Sequence, residues 1–422
     1  MKKYQQLLLV ILSVFSFSCL LIYRHEYNKL RYVLEVLNFF GTPGVPAPNA
    51  TACPSLESSF RFERGPLPTW QRLNDYLYVY SAYWEKLEGG ERIKAFAVGV
   101  MSEKLNYKCF FQYETPPVIR TGEFSFSNLG FKNRETFHNG NLNVNKTKSF
   151  VLYCKSQETS SYSAPIGVTF LHQDMDQNNQ RFIPVVNFKS NMPLQNVSGI
   201  CVMPNDSQFN KSTYLEFLNF HKLIGINNFI VYGSFDHYNL LTSIQIDRSN
   251  HIKITILPWN YPYISETDMM KSIAENDCIT RFRGLLENII ILEWNKFLVP
   301  RYLFNLSKLL NELDGGKKMS KFVFQTLLFC LEFKDRVKSN TSMPIIFRKS
   351  RFIQLKDYQV PLYRPHLETS SVQKVRKDII GVHQYAHCQD YKLRLKDKKN
   401  DLLDTTMLKY QNEFHKSQIL LM

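Results

Sequence analysis

The 422-residue sequence has no C-x-x-C pair among its eight cysteines, no H-E-x-x-H motif and no internal repeat. Zinc-ribbon spacing, the zinc-hydrolase helix and repeat architectures are therefore excluded. Glycine (17) and proline (18) are too sparse for a collagenous or low-complexity chain. Acidic residues are also few: 37 against 52 lysines and arginines, a formal net charge of +15. That balance suits nucleic acid, and equally suits a lumenal protein facing anionic membranes or phosphorylated donors. Apolar side chains are plentiful: 44% hydrophobic and 14% aromatic residues supply a sizeable core and exclude general disorder. The length is that of about two to three domains, or of one large α/β domain with an accessory.

Charge is absent from Leu7–Tyr23, 17 residues that follow Met1-Lys2-Lys3. This is the short end of what spans a hydrocarbon core of about 30 Å. The run is long for the apolar region of a cleaved signal, and no small-x-small cleavage site precedes Arg24, so it reads as an uncleaved signal anchor. Lys2 and Lys3 compete with Arg24, Lys29 and Arg31, so positive charge alone leaves the orientation open. A short tail before roughly 400 further residues favours a cytosolic tail and a lumenal body, a single-pass type II topology. Glycosylation sequons at Asn49, Asn145, Asn196, Asn205, Asn210, Asn305 and Asn340 agree with a lumenal body. So do Cys53, Cys109, Cys154, Cys201, Cys278, Cys330 and Cys388, dispersed as disulfide cysteines are. Seven is odd, so at least one is free or pairs between chains, which would make a dimer. Nucleic acid drops out as a partner on topology.

Beyond a tail of residues 1–6 and the anchor, residues 24–64 read as a stem, because Gly41-Thr42-Pro43-Gly44-Val45-Pro46-Ala47-Pro48 continues neither helix nor strand. Residues 65–195 read as a β-rich accessory region, opening with strands at Tyr76–Tyr83 and Ile93–Val98. The rhythm changes over residues 196–395. Gly199–Pro204 is a buried-type strand, and Thr213 with Glu216 forms a capping box that opens a helix ending at Gly225. Strands follow at Phe229–Tyr232 and Ile252–Leu257. A helical stretch through Ile273, Ile279, Phe282 and Leu286 then leads to the apolar strand Ile289–Leu292. This alternation is α/β grammar with a mostly parallel sheet and flanking helices. Ligands of such sheets sit at the carboxyl ends of strands, here Tyr232-Gly233-Ser234 and Glu293-Trp294-Asn295-Lys296. Residues 396–422 are left as a tail, and Lys392–Lys399 as a solvated basic run.

Several blocks together resemble glycosyltransferase family 92. They are Tyr80-Ser81-Ala82-Tyr83, Leu215-Glu216-Phe217, His221-Lys222-Leu223-Ile224-Gly225, Phe229–Tyr232, Asp277-Cys278 with Arg281, and Ile291 through Phe297-Leu298-Val299-Pro300. Their order matches across roughly residues 76–330, and weakly to about 390. The resemblance implies a GT-A-like fold and a type II Golgi enzyme. It would move galactose from UDP-galactose in β-1,4 linkage onto galactose or fucose residues of N-glycans. It also implies a divalent cation, Mn2+, held by an Asp-x-Asp motif. Here that place reads Glu293-Trp294-Asn295-Lys296. Glu293 keeps a carboxylate and Asn295 a carbonyl oxygen, both acceptable hard-cation ligands, but Lys296 stands where a carboxylate is expected. Either Lys296 meets the diphosphate directly, or the fold survives as a catalytically silent glycan-binding module.

Other positions complete the candidate site. Asp277 and Arg281, four apart on a helix, are donor-site candidates whose plain alternative is a surface ion pair. Tyr232 is either a ring that stacks on uracil, with Ser234 beside it, or part of the core, as an aromatic at a strand end more often is. His383 and His387 are spaced for one face of a helix, and the resemblance implies that one of them completes the metal shell. Forming a β-linkage from an α-linked donor inverts the anomeric centre and needs a carboxylate base, which the sequence does not single out.

Overall fold

A computed structural model describes residues 68–74, 77–87, 90–99, 107–114, 118–129, 147–156, 164–172, 182–187, 197–204, 211–233, 241, 252–262, 267–302, 305–316, 318–334, 343–367, 371–388 and 402–416. The anchor Leu7–Tyr23, the stem and the basic run Lys392–Lys399 lie outside the described residues. Among the described residues no helix is long and apolar enough to cross a membrane.

Alternating apolar and polar residues build the first half as strands. They are β1 (Gln71–Asn74), β2 (Leu77–Leu87), β3 (Gly90–Gly99), β4 (Tyr107–Tyr113), β5 (Val118–Asn128), β6 (Lys148–Lys155), β7 (Gly167–His172) and β8 (Ile183–Val186). In β4 the alternation is legible residue by residue: Tyr107, Cys109, Phe111 and Tyr113 are buried while Lys108 faces out. The order β2-β3-β6-β5-β4-β7-β8 closes on itself, because β8 pairs parallel with β2 through Ala82↔Val185 and Tyr83↔Val186. The result is a seven-stranded barrel with β1 added beside β2. Closure leaves the ring without a free edge. Small and large side chains fill the interior, among them Ala82, Ala95, Ala97, Phe111, Phe150, Leu152 and Phe170. A disulfide joins Cys109 of β4 to Cys154 of β6. Gly122 of β5 packs over it, and a Cβ there would lie 2.5 Å from the Cys154 sulfur.

The second half comprises β9 (Ser198–Val202), α1 (Lys211–Leu223), β10 (Asn228–Gly233), β11 (Lys253–Pro258), α2 (Thr267–Arg281), β12 (Asn288–Leu292), β13 (Lys296–Pro300) and α3 (Leu306–Leu313). It continues through β14 (Lys321–Cys330), α4 (Ile345–Arg348), β15 (Arg351–Tyr363), β16 (Val372–Val375), β17 (Ile380–Ala386), β18 (Leu402–Leu403) and α5 (Gln411–Lys416). The main sheet runs β11-β10-β9-β12-β15-β14-β17-β13. Its first four strands are parallel. The β12–β15, β15–β14 and β17–β13 pairings are antiparallel. One core layer packs α1 and α3 on one face of this sheet, and the other packs α2 together with Tyr80, Tyr83 and Phe96 of the barrel.

This architecture corrects the α/β, GT-A-like assignment. Eighteen strands against five α-helices among the described residues make the fold predominantly β, a closed barrel joined to a mixed sheet. The strand-helix rhythm of residues 199–292 is present, although α2 ends at Arg281 and leaves Phe282 and Leu286 beyond it, but the rhythm is local. The mixed pairing of β15, β14, β17 and β13 and the barrel closure join residues far apart in the sequence, which a local pattern does not carry. Two smaller differences follow the same logic. Helix α1 begins at Lys211, so Thr213 is not its cap; Glu216 instead accepts from Ser212 Oγ at 3.2 Å and from the Ile345 amide at 3.3 Å. Residues 402–416, assigned to a tail, return to the core through Met407, Tyr410 and Phe414.

Six cysteines form three disulfides: Cys109–Cys154, Cys201–Cys278 and Cys330–Cys388. They assign the folded chain to an oxidising compartment. Cys53 lies outside the described residues.

Candidate functional site

At the carboxyl end of β12 the chain turns sharply into β13, and the Lys296 amide donates to the Glu293 carbonyl at 2.9 Å. Trp294, at the centre of this turn, is 1% exposed and wedged against Tyr214 and Phe217 of α1, with ring centroids 4.3 and 5.0 Å away. The Tyr385 amide donates to the Asn295 carbonyl at 3.0 Å. With the indole buried and the backbone tied down, the Glu293 and Lys296 side chains are held on a fixed frame.

They meet in a cleft lined also by Met203, Lys271, Glu275, Ile291, Gln359 and Pro361. Met203 follows β9, and its amide extends the parallel ladder by donating to the Leu292 carbonyl at 2.8 Å. Lys271 and Glu275 are one turn apart on α2, whose position is set by the disulfide from Cys278 to Cys201 of β9. Strand β15 pairs with β12 near Tyr363 and contributes Gln359, Val360 and Pro361 to the lining. Sequence reasoning missed Lys271, Glu275 and Gln359. Lys271 and Glu275 carry an i, i+4 signal, but many surface helices share it.

The electrostatics are unusual. Lys271 Nζ and Lys296 Nζ both donate to the same oxygen, Glu293 Oε1, at 2.9 and 3.0 Å. Burial works to raise the Glu293 carboxyl, and the two ammonium groups override it, holding it well below the usual carboxylate range. Tyr363 Oη donates to Glu275 Oε1 at 2.6 Å, and Lys321 Nζ donates to the same phenol oxygen at 3.1 Å. Burial and then Glu275 push the Tyr363 phenol up, so it keeps its proton and remains a donor.

These residues do not fit the expected divalent cation. The one carboxylate oxygen in contact with the turn's lysine is already shared by two ammonium groups. A cation seated on it would face like charge at close range, worth roughly 4 kcal/mol per unit-charge pair at about 4 Å and an effective dielectric near 20. Asn295 Oδ1 is buried without a hydrogen-bond partner, but it is neutral, and Asn295 does not line the cleft. The histidines expected to complete a metal shell lie elsewhere. They stand on and just past strand β17, not on a helix, so four residues separate them by about 13 Å. His383 pairs in register with Phe297 while Lys296 pairs with Gln384, which puts His383 on the sheet face opposite Lys296. There it is fully buried and 3.3 Å from Asp404 Oδ2. His387 is exposed and 3.2 Å from Glu332. The group Cys330, Glu332 and Cys388 offers no metal site either, since its two sulfurs are joined.

The remaining donor-site candidates are part of the core. Asp277 is 0% and Arg281 4% exposed, so the pair is not on the surface. Asp277 accepts from Ser81 Oγ, Tyr83 Oη, Tyr232 Oη at 2.6 Å, and Arg281 at 3.2 and 3.3 Å. This cage joins barrel strand β2 to α2 and β10. Tyr232 is 1% exposed with its hydroxyl committed to Asp277, so it is not available to stack on a base. Ser234 lies outside the described residues. Of the seven sequons only Asn305 is described: it is exposed, and its side chain caps α3 by accepting from the Lys308 amide at 3.1 Å.

No family model matches the chain, and no curated protein matches it. Among solved structures, HddC from Yersinia pseudotuberculosis is similar over 46% of this chain and 91% of its own, at 8% identity and a TM-score of 0.23. HddC complexed with GMP-PN matches over 53% and 98%, at 9% identity and a TM-score of 0.22. At such scores the likeness carries no argument about this chain.

Proposed function

We propose that the chain is a glycosyltransferase of the secretory pathway. It moves galactose from UDP-galactose, in β-1,4 linkage and with inversion, onto galactose or fucose residues of N-glycans. The observation that carries this reading is the convergence of Lys271, Glu293 and Lys296 at the carboxyl ends of parallel strands β9 and β12. That is where open parallel sheets take their ligands. It is also where the resemblance to family 92 puts the donor diphosphate. In the transfer, an acceptor hydroxyl attacks the anomeric carbon, the bond from that carbon to the diphosphate oxygen breaks, and the hydroxyl proton passes to a base. Charge develops on the departing diphosphate, and preorganised ammonium groups stabilise it. Glu275, the second carboxylate of the cleft, is the position at which to look for the base. The cleft volume is about 40 Å³, far below that of a ligand pocket, so the nucleoside and sugar would meet surfaces outside it. The oxidising compartment is assigned to the Golgi lumen, with Leu7–Tyr23 as a type II anchor.

The second reading is a catalytically silent glycan-binding module, favoured by the engagement of Glu293 with both lysines. Calorimetry on the full-length chain with UDP, and a sugar-nucleotide panel with mixed N-glycan acceptors, separate the two. The transferase binds UDP and releases it on transfer. A chain that binds glycan but neither binds UDP nor turns over any donor is the silent module.

A further inference from the structure

Of the seven sequons, only Asn305-Leu306-Ser307, at the start of α3, lies within the described residues. Asn305 is exposed, with an extended backbone at φ −105° and ψ 113°, and its side-chain oxygen accepts from the Lys308 amide at 3.1 Å. Only the carbonyl oxygen of a carboxamide can accept, so this cap fixes which way the group faces. Oδ1 turns toward the first turn of the helix, and Nδ2 is left on the other side. There Nδ2 donates no hydrogen bond among the described residues. It passes over Gly225, in the turn after α1, where φ is +91° and a Cβ would lie 3.4 Å from Nδ2. Leu306 ties the two segments together, its amide donating to the Ile224 carbonyl at 3.0 Å and its side chain buried. The sequon nitrogen is thus uncommitted, at an exposed helix start, against a position that carries no side chain.

We infer that Asn305 is an N-glycosylation site of the folded chain, and that its side chain carries the glycan on Nδ2 while Oδ1 continues to cap α3. The donor class is an oligosaccharide linked to a lipid diphosphate. The bond from Nδ2 to the anomeric carbon forms and the bond from that carbon to the diphosphate oxygen breaks. The lipid diphosphate leaves, and the amide gives up one proton. The product is a secondary amide whose carbonyl oxygen is intact, so the cap survives the modification. The three disulfides put the chain in an oxidising compartment, the setting in which Asn-x-Ser/Thr is modified. Helices α1 and α3 pack on one face of the main sheet, and α2, which supplies Lys271 and Glu275 to the cleft, packs on the other. The glycan is therefore rooted on the face opposite α2. None of this depends on the transferase reading.

The test is peptide mapping of the full-length chain, expressed through the secretory pathway of a eukaryotic host, before and after peptide N-glycosidase. The peptide containing Asn305 is expected only after the enzyme, with that asparagine converted to aspartate. Ser307→Ala, which removes the sequon and keeps the cap, is expected to yield the unmodified peptide without enzyme. Hydrogen exchange at the Lys308 amide reads the cap. It should agree within about two-fold between the glycosylated parent and Ser307→Ala, and run about five-fold faster in Asn305→Ala. Asn305→Ala should also melt about 2–4 °C below Ser307→Ala, whereas Asn305→Asp, which keeps a capping oxygen but takes no glycan, should melt with it. A parent whose Asn305 peptide is recovered unmodified without the enzyme overturns the inference. So does an occupied site whose Lys308 amide exchanges as fast as in Asn305→Ala, since the glycan would then have displaced the cap. Galactose transfer by the parent, or its absence, moves neither result.

Discussion

Replacing Asp277 with alanine tests what joins the barrel to the mixed sheet. The carboxylate is completely buried and accepts from Ser81, Tyr83, Tyr232 and Arg281. Its removal leaves the Arg281 guanidinium, 4% exposed, without its counter-charge, and breaking a buried pair in this way costs about 3–5 kcal/mol. Three hydroxyl donors lose their acceptor as well, at about 1–3 kcal/mol for each that stays dry. Local relaxation will recover part of this, so a loss of about 5 kcal/mol is expected, a large share of the roughly 5–15 kcal/mol that stabilises most domains. With an m-value near the upper end for urea, about 3 kcal/mol/M, the unfolding midpoint should fall by roughly 1.5 M. Tyr83→Phe, which removes one donor and leaves the ion pair intact, should cost only about 1–2 kcal/mol. Urea unfolding followed by tryptophan fluorescence reads both. If Asp277→Ala shifts the midpoint no more than Tyr83→Phe does, the cage is not what secures α2, and the packing of the second core layer and the Cys201–Cys278 bond carry the junction instead.

Acid should destabilise the chain well above the carboxylate range because of His221, whose pKa is lowered to about 3 by burial. Its Nδ1 meets the Phe217 carbonyl at 2.8 Å and its Nε2 accepts from the Leu298 amide at 3.3 Å, so the neutral ring is the one that fits. The unfolded chain takes up this proton below about pH 6.5 and the folded chain only near pH 3, so the contribution is complete above pH 6.5 and falls away as pH drops. By pH 5 the loss is about 2 kcal/mol, and denaturation at pH 7.5 and pH 5 should show it shrinking in His221→Asn. Asp404→Ala should release residues 402–416, since Asp404 accepts a two-pronged pair from Arg301 at 2.9 and 2.6 Å. Hydrogen exchange of the amides of residues 406–416 is expected to rise at least about ten-fold, with the barrel amides unchanged.

Much of the local structure was legible. The alternation of β4 and the apolar runs of β9, β10 and β12 each mark a strand by their own residues, because side-chain period follows backbone geometry. The turn at Glu293–Lys296 was legible as a strand exit, and the dispersed cysteines as disulfide partners. Tertiary structure decided the rest. Residues 82–83 and 185–186, a hundred positions apart, close the barrel, and no window of sequence contains both. Lys271 reaches Glu293 because a disulfide and a core layer set α2 against β12, so a lysine with an ordinary surface spacing becomes part of the cleft. Tyr232 and Asp277 fall at positions that suggest a ligand, yet the barrel covers them and turns them into a buried cage. His383 and His387 share a spacing that means one face on a helix and about 13 Å on a strand. In each case residue type is a property of the sequence, whereas burial and partner depend on which distant surface arrives, and that is settled only when the whole chain packs.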